Sequence, residues 1–388
     1  MRVSEWCRRY VPPAGGHYSH AKEPISMLLT APASPHGGDA PPRHSAVSRT
    51  PRFRRTVLTA LAATGITVAL AAPAVAAPVG VPVPPGGQVA AWGANESGQT
   101  AVPAPPAGQT YTAVAAGEGH SLALTSAGQV IAWGNNENGQ TNVPAPPVGQ
   151  TYTAVAAGGE HSIALTSAGG VIAWGNPDQT AVPIPPAGQT YTAIAAGYNH
   201  SLALTSAGQV ISWGSYPGQA AVPAPPAGDT YTAIAASYSH SLALTSSGTV
   251  VTWGYLLASG EIAAPWLPTG QTYTAIAAGY NHSVALTSAG EVLAWGNNEY
   301  RQLNVPFLPS GQTYTAVAAG RNHSLALTSA GQVVTWGNRA YDVSVVPAPP
   351  IGKAYTAVAA GGWHSLALAS GTSESSPSGP SGSLGFGS

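Results

Sequence analysis

In the stretch "HSLALTSAGQVIAWG" (residues 120–134), Leu122 and Leu124 alternate with Ser121 and Ala123, and a Ser-Ala-Gly turn leads into Val130, Ile131 and Trp133. A period of two without any period of 3.6 predicts β-strands joined by tight turns. "TYTAVAAG" precedes the stretch, and "TNVPAPPVGQ" follows it after an Asn-rich loop. Gly or Pro closes each segment, so one unit reads as four short strands, here A to D, with four connections.

The unit recurs. Trp-Gly pairs stand at Trp92, Trp133, Trp174, Trp213, Trp253, Trp295 and Trp336, spaced by 41, 41, 39, 40, 42 and 41 residues. A histidine holds one motif position in seven copies: His120, His161, His200, His240, His282, His323 and His364. Four strands repeated at this period predict propeller blades. The first copy begins in mid-unit at "GGQVAAWG" and the last stops in mid-unit at "AYTAVAAGGWHSLALAS". The two parts sum to one blade. The expectation is an all-β, seven-bladed propeller of four-stranded blades over residues 86–370, closed by pairing of its N- and C-terminal half-blades so that no strand edge is left open.

Charge divides the chain. Residues 1–76 hold nine Lys/Arg and three Asp/Glu, whereas the remainder holds four cations (Arg301, Arg321, Arg339, Lys353) and eleven acids. An acidic body with four scattered cations cannot neutralise a run of phosphates, so no nucleic-acid partner is expected. The basic excess has a local meaning. "RFRR" (52–55) precedes an uncharged apolar run (56–76) that ends Ala74-Val75-Ala76, the pattern of a secretory signal cleaved between Ala76 and Ala77. An uncleaved membrane anchor is the alternative reading of the run. The long lead before the basic cluster suggests a true start at Met27 or near Val47. Cys7, the single cysteine, falls in this leader, so the mature chain has no disulfide. Residues 371–388 are Ser/Gly/Pro-rich and read as a disordered tail or linker.

The candidate chemistry is weighed copy by copy. Seven histidines on seven blades lie too far apart to share a metal, and a structural role is expected, with a ring nitrogen bonding a neighbouring loop's backbone. His-Ser adjacency suggests a base and a nucleophile, but strand neighbours point to opposite faces and no Gly-x-Ser-x-Gly elbow accompanies them. The Asn-Gly loops lack the charge density of a calcium site. The repeated Trp, and Tyr111, Tyr152, Tyr191, Tyr231, Tyr273, Tyr314 and Tyr355, are scaffold. No cofactor, metal or catalytic residue is expected.

The copies differ in two loops, before the histidine and after Trp-Gly. If four strands run up and down, both loops emerge on one rim, where binding residues of a rigid scaffold collect. That rim carries Glu118, Glu137, Glu160, Tyr198, Tyr216, Tyr238, Tyr255, Tyr280, Tyr300, Arg321, Tyr341 and Trp363, with Asp178 and Arg339 among them. Aromatic anchors with Arg and a few acids are the composition of a protein-interface hot spot.

The repeated "AAGxxHSLALTSxGxVxxWGxNxxGQ" resembles the regulator of chromosome condensation family, whose repeats form seven-bladed propellers. The family's namesake nucleotide exchange depends on an inserted wedge and a basic tail, and neither stands in this chain. "VIAWGNNENGQTNVPAPPVGQTYTAVAAGGEHSIAL" is similar to secreted bacterial propellers of the β-lactamase inhibitory type. In those, the residue before the motif histidine is often an aromatic contact. Here that position holds Gly119, Glu160, Asn199, Ser239, Asn281, Asn322 and Trp363, of which Trp363 alone is aromatic. The resulting expectation is a secreted, monomeric, non-catalytic propeller that binds an extracellular protein through one rim. Inhibition of a class A β-lactamase or penicillin-binding-type enzyme is one alternative, and a lectin-like carbohydrate-binding role is another.

Overall fold

A computed structural model describes residues 87–215, 221–238, 240–254 and 263–371. Residues 1–86 and 372–388, on which the expected leader, secretory signal and tail fall, lie outside the described residues. The described residues form twenty-one strands in seven antiparallel three-stranded sheets. Blade 1 is built of Tyr111–Ala116, His120–Thr125 and Val130–Gly134, which are its inner, middle and outer strands. Blades 2 to 6 repeat the order from inner strands Tyr152–Ala157, Tyr191–Ala196, Tyr231–Ala236, Tyr273–Ala278 and Tyr314–Ala319. Blade 7 takes Lys353–Ala360 and His364–Gly371 from the end of the array and Gln88–Gly93 from its start. In it Gln88 faces Ala369 and Gly93 faces His364.

Among the described residues each blade has three strands, not the four expected. The fourth segment, such as "VPAPP", carries prolines that cannot donate to a ladder. It is held instead by a side chain. The hydroxyl of Tyr111 donates to the carbonyl of Pro103 at 2.8 Å. Tyr152, Tyr191, Tyr231, Tyr273, Tyr314 and Tyr355 repeat this bond at 2.7–2.9 Å.

Alternation along the middle strand sets the packing between blades. Leu122 and Leu124 meet Tyr152, Val155, Ala164 and Trp174 of blade 2. On the other face, Ala123 and Trp133 meet Leu366 and Leu368 of blade 7. Large side chains therefore press on the small-residue face of the next blade, and the Trp fills the remaining gap. Leu122, Leu202, Leu242, Leu325 and Leu366 have no exposure at all, each worth roughly 1.5–3 kcal/mol of apolar burial. The glycine after each Trp is required by geometry. Gly134 has φ of +101°, and a Cβ there would sit 2.7 Å from the Gly119 carbonyl oxygen and 2.8 Å from His120 Cα.

The histidines form a circuit. Nε2 of His120 lies 2.8 Å from Oγ of Ser162 in the next blade. The same bond links His161 to Ser201, His200 to Ser241, His240 to Ser283, His282 to Ser324, His323 to Ser365 and His364 to Ser121. The direct bond to loop backbone that the sequence suggests is not made; a serine hydroxyl stands in between. Ser121 Oγ donates onward to the Gln99 carbonyl at 2.9 Å, so it accepts from His364 Nε2–H. Trp133 Nε1 donates to the same carbonyl at 2.8 Å. Burial holds His120, His200, His282 and His364 down to about 3, with neighbouring histidines of the circuit adding to the effect. Burial likewise holds His161, His240 and His323 to about 4. All seven are neutral at physiological pH.

Candidate functional site

The loops between inner and middle strands are laced together around the axis. Glu118 N–H donates to the Gly158 carbonyl, Gly159 to Gly197, and Tyr198 to Ser237. Tyr280 donates to Gly320, Arg321 to Gly361, and Gly362 back to Gly117. This lacing fixes the residue two before each histidine at the rim of one axial mouth. The seven positions hold Glu118, Gly159, Tyr198, Tyr238, Tyr280, Arg321 and Gly362, around an open concavity bordered by Ala116, Ala157, Ala196 and their equivalents. Deeper along the axis the lining is alanine alone.

The side chains at this mouth touch one another in sequence. Tyr198 meets Tyr238 edge-on, with centroids 4.9 Å apart and planes at 69°. Tyr238 stacks on Tyr280 at 4.2 Å and 20°. The Arg321 guanidinium lies 4.8 Å from the Tyr280 centroid and 5.5 Å from that of Trp363. Its Nη1 donates to Glu118 Oε1 at 2.6 Å. Tyr341 extends the row, 5.5 Å from Trp363. The two glycines let the arc pass. A Cβ on Gly362 would lie 2.7 Å from the Glu118 carboxyl carbon, and one on Gly159 would lie 2.9 Å from the Tyr198 ring.

Burial, then a hydrogen bond with Tyr238 and that ring's charge, pushes the Tyr280 hydroxyl up to about 12. Tyr198 is raised by burial first, then by the charges of Glu118 and Glu160. The Glu118–Arg321 pair is one-quarter to one-third exposed, which limits it to about 0–1 kcal/mol.

The rim residues of the sequence thus sort into three groups. Glu118, Tyr198, Tyr238, Tyr280, Arg321, Trp363 and Tyr341 converge in one arc. Glu160 stands beside it, its carboxylate accepting from Asn176 Nδ2 at 2.8 Å. Glu137 and Tyr300 do not join; they sit on the post-Trp-Gly loops of blades 1 and 5, with Tyr300 41% exposed. Tyr216 and Tyr255 fall outside the described residues. The sequence predicts tyrosines on this rim but not their mutual stacking. Two further aromatics are hidden from that reading because they stand in the connection that looks constant. Trp266 and Phe307 are fully exposed where Ala104, Ala145, Ala224 and Ala348 stand in other copies.

The arc offers aromatic rings, a guanidinium and a carboxylate as contact groups. Among the described residues no three His, Cys, Asp or Glu side chains are placed to hold a metal ion. The His–Ser pairs have the spacing of a base and a nucleophile, but each is buried between blades. Ser121, Ser162 and Ser324 already donate their protons to backbone carbonyls.

Comparison with known proteins agrees with this architecture. The regulator of chromosome condensation (RCC1) repeat matches six times, at residues 111–140, 152–179, 191–215, 231–255, 273–302 and 314–341, on blades 1 to 6. Among solved structures, Prp20p from Saccharomyces cerevisiae, described with its binding to Gsp1p and histones, has 19% identity and a TM-score of 0.63, covering 76% of this chain and 93% of that one. Yeast RCC1 (Prp20) with Kap60 gives 20% identity and a TM-score of 0.64, over 83% and 97%. Human WBSCR16 gives 19% identity and a TM-score of 0.60, over 72% and 99%. No curated protein matches. At such identities the structures establish the fold alone, while the six repeats place the chain by sequence: it belongs to the regulator of chromosome condensation repeat family.

Proposed function

We propose that the chain is a secreted, non-catalytic propeller that binds another protein through the face bearing its two variable loops. One observation carries the reading. On a scaffold whose tiles are nearly identical, Tyr198, Tyr238, Tyr280, Arg321, Trp363 and Tyr341 gather in a single arc at one axial mouth. Rigid aromatics with a half-buried Arg at the centre of a face are the composition of an interface hot spot. Secretion rests on the basic cluster, apolar run and Ala-Val-Ala ending before Ala77.

The test is capture of partners from the producing culture by the wild-type chain and by Trp363→Ala and Tyr300→Ala. Loss of a captured protein with Trp363→Ala supports the face, and equal capture by all three sinks it. Titration into a panel of class A β-lactamases, following chromogenic hydrolysis, asks whether the partner is of that kind. Amino-terminal sequencing of protein from the medium checks secretion, with Ala77 as the expected first residue.

A further inference from the structure

The binding face is electrically lopsided. Among its described loop residues, Glu118 is neutralised by Arg321. On blades 5 and 6, Glu299 shares a loop with Arg301, and Asp342 shares one with Arg339. Glu96, Glu137, Glu160 and Asp178, from the last loop of blade 7 through blade 2, share their loops with no cation, since no Lys or Arg occurs from residue 56 to residue 300, and none of them forms a salt bridge among the described residues. One side of the mouth is thus balanced, and the other carries net negative charge.

The balanced side also shows what the mouth does with a cation. Arg321 lies over Tyr280 and Trp363 and is paired with Glu118, so the chain fills that slot itself. Across the mouth stand the same ingredients, an aromatic ring beside a carboxylate; Arg321 acts on the Tyr198 hydroxyl, but among the described residues no cation stacks on that ring. The Tyr198 ring lies over Gly159, next to Glu160, and the Glu160 charge acts on its hydroxyl. Gly159 makes the room that the Tyr198 ring occupies.

Resting on the reading of this face as the binding surface, we infer that it accepts a basic partner, with a lysine or arginine side chain of that protein seated between the Tyr198 ring and the Glu160 carboxylate. A cation over an aromatic face is stabilised by the ring quadrupole, and the paired carboxylate adds a charge-assisted hydrogen bond. The surrounding acids raise the encounter rate and make binding sensitive to salt.

The experiment uses the full chain and three fluorescein-labelled peptides, each a triple repeat of Gly-Ser-Lys, Gly-Ser-Gln or Gly-Ser-Glu, followed by anisotropy at low and physiological ionic strength. The lysine peptide is expected to bind about tenfold more tightly than the glutamine peptide and to weaken with salt. Glu160→Gln and Tyr198→Leu should each weaken it roughly fivefold, about 1 kcal/mol, while Glu299→Gln on the balanced side leaves it unchanged. Preference for the glutamate peptide, equal binding of all three, no binding, or full affinity in Glu160→Gln would overturn the inference. If these fail while Trp363→Ala still abolishes partner capture, only the cationic chemistry falls. If Trp363→Ala captures normally, the face itself falls.

Discussion

Nε2 of His364 lies 2.9 Å from Oγ of Ser121, a residue 243 positions earlier in the chain. With that bond the seven-membered His–Ser circuit returns to its starting blade. A local motif, His followed by Ser, thereby becomes a long-range device: the two side chains point to opposite faces of one strand, each bonding a different neighbouring blade.

Acid should dissolve this circuit. The histidines are neutral and held at about 3 to 4 in the fold, against about 6.5 in the unfolded chain. Above pH 6.5 neither state is protonated and stability is intact. Below it the unfolded state takes up protons first, so stability falls at roughly 1.4 kcal/mol per pH unit for each histidine. With seven acting together, cooperative unfolding is expected near about pH 5. Tryptophan fluorescence and calorimetry against pH would show it, and a chain still folded at about pH 3 with little proton uptake on unfolding would contradict it.

Ser121→Ala should leave the His364 N–H buried without its acceptor. The expected cost is about 1–3 kcal/mol in urea unfolding, against almost none for the exposed Ser97→Ala. A neutral Ser121→Ala would mean that the histidine finds another acceptor.

Leu202 has no exposure and packs against Ile234, Ala236 and Trp253 of the next blade. Leu202→Ala should cost about 2–5 kcal/mol, the range for a cavity that rigid neighbours cannot fill. Collapse of the interface around the truncated side chain would show as a loss well below that range.

Gly362→Ala tests the passage of the arc. Its Cβ would fall 2.6 Å from the Glu118 carbonyl oxygen and 2.7 Å from its carboxyl group. Glu118 should be driven off Arg321 and stability should drop by about 1–3 kcal/mol. Retention of wild-type stability, together with an intact ion pair in a crystal structure of the variant, would show that the loop has room to yield.

Much of the fold is legible in the sequence because each tile repeats its own instructions. Leu122 and Leu124 alternating across a Gly turn specify strands locally, and the Trp-Gly interval counts the blades. The fourth strand is a false expectation because "VPAPP" has the bounds of a strand but not its donors; only the Tyr111–Pro103 bond reveals how it is kept. The serine partner of each histidine depends on the distance between blades, which no single tile encodes. The rim is found from where the copies differ. That Tyr198, Tyr238 and Tyr280 stack on one another depends on how closely seven loops are drawn in around an axis. Gly159 and Gly362 are visible at the variable position, but their meaning lies in the side chains that pass over them.

The pairing of Gln88 with Ala369 places the two ends of the described array side by side on adjacent strands. Nothing in the His–Ser circuit distinguishes the blade where the chain enters from the other six. A short covalent linker between these ends, with new termini opened in the turn at Ser126–Gly128, would therefore give a circular permutant with the same packing and the same face. The order in which the ribosome delivers the tiles is a cutting point in a cycle, and the binding face stays the same wherever the cut is made.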